Sequence, residues 1–554
     1  MSSRIPPRVD LGLRAALCAA AAVALFVGWV VFWFQCDDAY IAFRYVSNSL
    51  QGWGYTWNPP PFRAVEGYTS FLWVVLLDGV WRGFGVEPPV AANWLSLGFS
   101  AGSLALVVAM VLRLRLSPGL APFRTLLLAL VLLGVLSNRT FLAWTSSGLE
   151  TALFGCLLLS WVYAALFLSA GVGASTWLSL TAGLLALTRP DGLLFVAVTA
   201  GILGVRWLPK RARSLRELVP ALPLLIPVVH VLWRRAHYGY WLPNTYYAKQ
   251  IAAWPEAGVR YFAAFLLEYA YWIALGLALV AGVRLLRSEA FRSRLRAWDP
   301  GTLTKLLVGS ALGLHFAYYT FLVGGDHFEF RVYQHWVPLV MVGFAALGEQ
   351  AGLSPRKTLA ALVVMILIGW PLPWLHWLAT RERVAQGETR ELRVLVAPLL
   401  PLPVRWYGAA WDELENWLVA HFIGVRHEAH RIFSEHQLAH FPTRAQGLRF
   451  EARGYPVLAH NAVGVPGWVL PNVAILDTQG LNDAVIARAH PVATLSERRH
   501  MAHDRKPPPG YVECFRPNLF VTPEDVLTIG RRAIDLSAAE IRACENRFRA
   551  TAHP

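Results

Sequence analysis

Charged residues make up only 15% of this 554-residue chain. Cysteine and methionine number five each, and only five of the 50 cationic residues are lysine. So little charge, against roughly 25% in soluble domains, excludes a water-soluble globular enzyme. Five cysteines in a chain of this length exclude a disulfide-dense scaffold. Acidic residues number 35, which leaves a net charge of +15. The cations lie in short loops between apolar runs, where they set topology, so nucleic acid is not implied. Apolar residues are abundant, at 56% with 24 tryptophans, and long apolar stretches recur from Leu11 to about Thr380. The chain reads as a polytopic α-helical membrane protein.

Eleven apolar spans are expected, near 12–34, 91–112, 124–138, 148–170, 175–189, 191–205, 218–234, 261–284, 304–323, 333–350 and 358–378. A straight span needs about 20 residues, so 124–138, 175–189 and 191–205 are short, thinned or buried in the bundle. The segment 68–82 is about as short and contains Asp78, which suits an interfacial helix. With 68–82 kept out of the membrane, 19 loop cations fall on one side and nine on the other. The positive-inside rule then puts the N-terminus in the cytoplasm and residues 381–554 outside the cytoplasmic membrane. Residues 1–34 lack a clear small-x-small cleavage site before Asp37 and read as an uncleaved first helix.

This divides the chain into a bundle, 1–380, with a first outward loop at 35–90, and a periplasmic soluble α/β domain, 381–554. Residues 410–440 read as one amphipathic helix. The runs PVLAH and VAILD within 456–488 read as strands, and Thr522-Pro523-Glu524-Asp525 as a helix start. Histidines 421, 427, 430, 436 and 440 have spacings that suit metal ligands, but their charged neighbours favour a solvated face. Cys514 and Cys544 both fall in the outward domain, where they either pair or remain as two buried thiols.

Five polar groups interrupt the apolar background, all on the outward side. The first is Asp37-Asp38 with Arg44 one face on; the bland reading is helix capping. The second, Thr145–Thr151, carries Glu150, which also suits a helix start. The third, Thr188-Arg189-Pro190-Asp191-Gly192, puts a cation and an acid at membrane depth, as a functional group or as an ion pair holding a hairpin. The fourth runs from Arg234 to Lys249 and interleaves cations with Tyr238, Asn244 and Tyr246. That pattern suits a phosphate with a sugar face, or an aromatic belt with snorkelling cations. The fifth places Asp326, His327, Glu329 and Arg331 in one turn. An outward site has no access to cytoplasmic nucleotide sugars, so its donor must be a lipid-linked sugar. A carboxylate base would then deprotonate an acceptor hydroxyl while cations stabilise the departing phosphate. A transporter or flippase of lipid-linked saccharide, or a non-catalytic glycan binder, is the alternative; one-sided polar motifs and the lack of repeats weigh against the transporter.

The runs DDAYIAFRYVSN, GWGYTWNP, VEGYTSFLW, SGLET, LTRPDG, HYGYWLPNTYYAK and GGDHFEFR resemble the GT-C superfamily of polyprenyl-phosphate-sugar glycosyltransferases. Within it they are most similar to the terminal β-1,2-arabinofuranosyltransferases of mycolate-type cell walls and their bacterial relatives. The resemblance spans about residues 36–515. It implies an inverting enzyme with about eleven membrane helices, a polyprenyl-phosphate-linked sugar donor and a cell-envelope glycan acceptor. It implies a catalytic aspartate directly after the first helix, at Asp37 or Asp38, with Asp37 slightly preferred. Donor phosphate contacts are expected at Lys249, Arg331 and Arg189. Substrate contacts are expected at Arg44, Glu150, Tyr238, Asn244, Tyr246, Asp326 and His327. Some members use a divalent metal, but no convincing ligand set is present, and no cofactor is expected.

Overall fold

The structure is a computed structural model that describes residues 7–207, 215–249, 253–383, 401–490, 501, 505–521, 527–530, 532 and 534–549. All eleven apolar segments are helical. Among the described residues, six helices are long and apolar enough to cross a membrane alone: Val9–Val31, Pro88–Arg113, Pro190–Trp207, Leu218–Tyr238, Pro300–Val323 and Pro355–Thr380. The segment expected at 261–284 is not one continuous helix. It is two helices, Pro255–Glu268 and Trp272–Arg287, bent by 103°. At the bend Ala270 adopts a left-handed φ of 54°, and Glu268 turns inward to pair with Arg426.

Local chemistry explains the breaks. In the LTRPDG stretch, Pro190 and Gly192 separate the helices Val172–Thr188 and Leu193–Trp207. A Cβ on Gly192 would lie 2.3 Å from the Leu185 carbonyl carbon, so only glycine lets these helices close. Asn138, Asp299 and Ser354 cap the helices that follow them with side-chain bonds to backbone N–H groups. The helix Pro300–Ala317 runs into a π turn, Tyr318–Val323. Such turns mark sites where helix geometry yields to another requirement.

The first outward loop carries helices Asp37–Leu50 and Phe71–Phe84. The second is 14 residues long, too short to span, and buries Trp73, Val74, Leu77 and Asp78. The first carries its polar face upward, and the C-terminal region covers it. That region contains two helices, Leu402–Ala420 and His427–His440, in place of the single helix expected over 410–440. The break lets Arg426 reach into the bundle. Beyond them, β1 (Val457–His460) pairs in parallel with β2 (Ala474–Asp477) and with β3 (Leu519–Val521). An antiparallel edge, β4 (Leu527–Ile529), completes the order β2-β1-β3-β4. The two runs read as strands are strands. The helix start expected at 522–525 lies outside the described residues. Cys514 and Cys544 form a disulfide, with Cα atoms 6.0 Å apart, that ties the last helix to the short helix Tyr511–Cys514.

Candidate active site

A left-handed turn at Ser147 and Gly148 builds one wall of the site. The Cys36 amide donates to the Ser147 carbonyl at 3.1 Å and the Ser147 amide donates to Phe34 at 2.9 Å. A Cβ on Gly148 would lie 2.7 Å from the Ala39 Cβ. This close approach fixes the start of the helix Asp37–Leu50 beside Glu150.

The two adjacent aspartates differ completely there. Asp37 is buried, and its carboxylate accepts the Gly464 and Val465 amides at 3.1 and 2.7 Å. No side-chain cap bond closes the helix Asp37–Leu50 itself, so the local capping reading fails; Asp37 instead satisfies the first amides of the helix Gly464–Val469, more than 400 residues away. Burial pushes the Asp37 carboxyl up to about 7, the Val465 and Gly464 amides notwithstanding. Asp38 is exposed. It acts on the charge of Lys249, which is also exposed and which Arg331, Asp326 and Arg189 influence as well.

Behind them lies a polar cluster. Arg189 donates to Glu150 at 3.1 Å, to Asp191 at 3.3 Å and to the Tyr319 hydroxyl at 2.7 Å. The Asp191 carboxylate also takes Nε2 of His315 at 2.8 Å and the Tyr319 hydroxyl at 2.9 Å. Arg331 forms a two-point pair with Asp326, at 2.7 and 3.1 Å, and packs over the Phe328 ring. Burial opposes the Arg331 charge, and the charge and hydrogen bonds of Asp326 together with Glu150 outweigh it, so the guanidinium stays above its ordinary value. Glu150, Arg189, Asp326 and Arg331 therefore belong to one charged cluster, and Lys249, which feels Asp38, lies within its electrostatic reach. His315, Tyr319 and His335 were missed. Their signal was present as polar side chains inside apolar spans, where ionisable groups are functional by default.

Four expected substrate contacts turn elsewhere. Arg44 is fully buried and donates to the carbonyls of Trp57, Gly467, Leu470 and Val473 at 2.6–3.1 Å, and to Asn58 at 3.3 Å. No donor remains for substrate. Burial lowers this guanidinium to about 9, still charged at neutral pH, and four carbonyl dipoles take the place of a counter-ion. Asn244 clamps the same domain, donating to Gly480, Leu481 and Asp483 and accepting from Arg488. The Tyr238 hydroxyl donates to the Tyr55 carbonyl at 2.6 Å. His327 Nδ1 meets the Phe422 carbonyl at 2.9 Å, and its ring stacks on Phe422. Tyr246 is 46% exposed beside Tyr247 and stays accessible.

Among the described residues, Glu329, His427 and Glu428 are the one trio with metal-ligand atoms within 4.8 Å of one another. They do not fit a resident ion. Arg139 already bridges the two carboxylates, at 3.4 Å from Glu329 and 2.8 Å from Glu428. A divalent cation there would face this guanidinium at contact range.

No family model matches the chain. It is 30% identical over 338 residues to the terminal beta-(1->2)-arabinofuranosyltransferase of Mycobacterium tuberculosis (strain ATCC 25618 / H37Rv), covering 56% of this chain. The chain spans about half of that relative, 52% of its length. The structure superposes on that of ArnT from Cupriavidus metallidurans, solved with bound undecaprenyl phosphate. The TM-score is 0.51 at 14% identity, over 84% of this chain and 86% of ArnT. At that identity the likeness concerns the fold. The chain is a multi-pass membrane protein with a fold like that of ArnT, and its accessible aspartate, Asp38, lies in the first turn of the helix that follows the first span.

Proposed function

We propose that the protein is an inverting glycosyltransferase that moves a sugar from a polyprenyl-phosphate donor to a cell-envelope glycan. The observation that carries this reading is one accessible carboxylate, Asp38, within electrostatic reach of the accessible cation Lys249, whose charge also feels Arg331, at one end of a membrane bundle. Asp38 takes the proton of an acceptor hydroxyl as its oxygen attacks the anomeric carbon. The bond from that carbon to the phosphate oxygen breaks, and the phosphate leaves with the electron pair. Attack opposite the leaving group inverts the centre. Lys249 and Arg331 meet the charge that develops on the phosphate, with Arg189 behind them. The relative's printed activity makes arabinofuranose the first sugar to test.

In this reading Asp37 is a positioning residue, held by the C-terminal domain so that Asp38 faces the cations. Arg44 and Asn244 hold that domain in place. The bundle, 1–380, and the outward domain, 381–554, work as one unit. The site faces outward from the cytoplasmic membrane, with the N-terminus inside, as the 19 to nine split of loop cations supports. No metal or cofactor takes part. The function is tested by incubating purified protein with polyprenyl-phosphate sugars and an envelope glycan acceptor. Transfer of arabinofuranose or another sugar with inversion supports the reading. Transbilayer movement of the lipid without transfer would replace it with a flippase.

Lys249→Ala and Arg331→Ala are expected to raise the donor KM and lower kcat. Together these cut kcat/KM by about 10²–10³-fold, as loss of one preorganised charge donor does. Steady-state kinetics against donor concentration check this. Unchanged kinetics would leave both as snorkelling interface residues.

A further inference from the structure

We propose that the first turns of the helix Leu402–Ala420 are a lipid anchor, seated among the headgroups of the leaflet on the side of the candidate site. The C-terminal half then holds the bilayer directly, as well as through the bundle. This goes beyond the transfer reading and does not depend on it.

The bend at Ala270 places the helix. Trp272–Arg287 is 16 residues long, about 24 Å, and exposes Leu275, Leu279 and Leu286, which in a membrane bundle face lipid. Pro255–Glu268 meets it at 103°, so where one crosses the membrane the other runs close to its plane. Leu402–Ala420 lies along Pro255–Glu268 in the opposite direction. Trp417 packs against Trp254, just before that helix, and the Trp411 indole donates to Glu268, its last residue, at 3.2 Å. One turn earlier, the Tyr407 hydroxyl donates to the Leu267 carbonyl and accepts the Trp272 indole N–H, the latter at 3.2 Å. The start of Leu402–Ala420 therefore sits at the corner where the chain turns into the bilayer. Glu268 and Glu415 both pair with Arg426, which ties this corner to Glu329 in the turn that bears Arg331.

The two halves of the helix differ in chemistry. Leu402–Ala410 reads LPVRWYGAA, with one cation, Arg405, and no acid. The second half carries Asp412, Glu413 and Glu415. Its inward face buries Trp411, Glu415 and Leu418. In the first half, by contrast, Leu402, Val404 and Trp406 are 51%, 49% and 66% exposed. Three large apolar side chains within five residues mark a contact surface when left uncovered. The patch continues the lipid-facing surface of Trp272–Arg287, whose first residue, Trp272, is itself exposed. That continuity selects the bilayer as its occupant. At headgroup level an indole keeps its ring in the acyl boundary and its N–H wet, and Arg405 beside it reaches lipid phosphate. Acids, which those phosphates repel, begin only where the helix has left the corner.

The test uses the full chain in phospholipid nanodiscs. A nitrobenzoxadiazole fluorophore is placed on Leu402→Cys, on Trp406→Cys and, as the control, on Glu413→Cys, which is exposed on the acidic half. Each is read against the parent chain treated with the same label. At 402 and 406 the emission is expected to shift to the blue and to be shielded from iodide. Phospholipids spin-labelled at two depths are expected to place both probes about 5–10 Å into the headgroup and acyl boundary. At 413 iodide is expected to quench and the lipid labels are not. Iodide quenching at 402 or 406 equal to that at 413 puts the patch in water and overturns the anchor. Shielding from iodide without quenching by either lipid label means that a second copy or another protein covers the patch, which overturns the bilayer as its occupant.

Discussion

Asp38→Asn is expected to abolish sugar transfer while leaving a folded protein that still binds donor. An acceptor hydroxyl is a poor nucleophile, and a positioned base contributes roughly 10²–10⁴-fold. Asp38 is the exposed member of the pair, so an amide there disturbs no observed bond. Asp37→Asn should behave differently. Its carboxylate holds two amides of the domain above, and an amide side chain can accept at its oxygen but presents a donor to the second N–H. Turnover should fall less than in Asp38→Asn, with an unchanged donor KM, because Asp37 acts only through the placing of Asp38. Val465→Pro removes one of those two N–H donors from the far side and should lower kcat in the same way. Should Asp38→Asn retain turnover while Asp37→Asn is dead, the roles are reversed.

The second large effect is on stability. Arg426 is 1% exposed and pairs with Glu268 at 2.6 Å, Glu329 at 2.8 Å and Glu415 at 2.7 Å. These acids come from the bend in the bundle, the Gly324–Arg331 turn and the helix Leu402–Ala420. One guanidinium thereby fastens the C-terminal half to the bundle. Arg426→Ala leaves three carboxylates buried without it and should cost about 3–5 kcal/mol. Equilibrium unfolding in detergent measures this. Combining Arg426→Met with Glu268→Gln and Glu415→Gln should restore much of the loss, since the damage lies in uncompensated charge. A single variant as stable as wild type would mean that the network has no part in holding the two halves together.

The same network gives a pH dependence. Burial pushes the Glu415 carboxyl up to about 7, Arg426 notwithstanding. The folded state therefore holds this proton more tightly than the unfolded chain. The contribution is greatest below the unfolded carboxyl range near 4.5 and is lost as pH rises from there through about 7. Stability should fall between about pH 5 and pH 8, and Glu415→Gln should flatten that slope.

Much of the architecture was legible because it follows from composition and local chemistry. Uninterrupted apolar runs mark helices, since every backbone group in lipid must be bonded within its own segment. Pro190 and Gly192 announce a hairpin, and the segment around Asp78 is too short to span and forms the 14-residue helix Phe71–Phe84. The bend at Ala270 had no such signal. The sequence there is apolar apart from Glu268, with no Pro or Gly to mark a break, and the helix ends where Glu268 turns to Arg426, 158 residues on.

The site divides along the same line. Five motifs identify which polar residues gather at one end of the bundle, because loop charges and span boundaries alternate sides. The division of labour between Asp37 and Asp38 lies outside what local pattern encodes. Both are acids in the first turn of one helix, and only the amides of Gly464 and Val465 single one out. Arg44 reads as a free cation on a polar face, yet three of its four carbonyl partners lie more than 420 residues away. Its guanidinium is spent on backbone carbonyls that only the folded C-terminal domain brings within reach. Sequence alone determined that this is a membrane bundle with a cluster of acids and cations at one end. The tertiary structure decided which of those charges remain accessible, because a buried charge must be paired, and the partners come from distant parts of the chain.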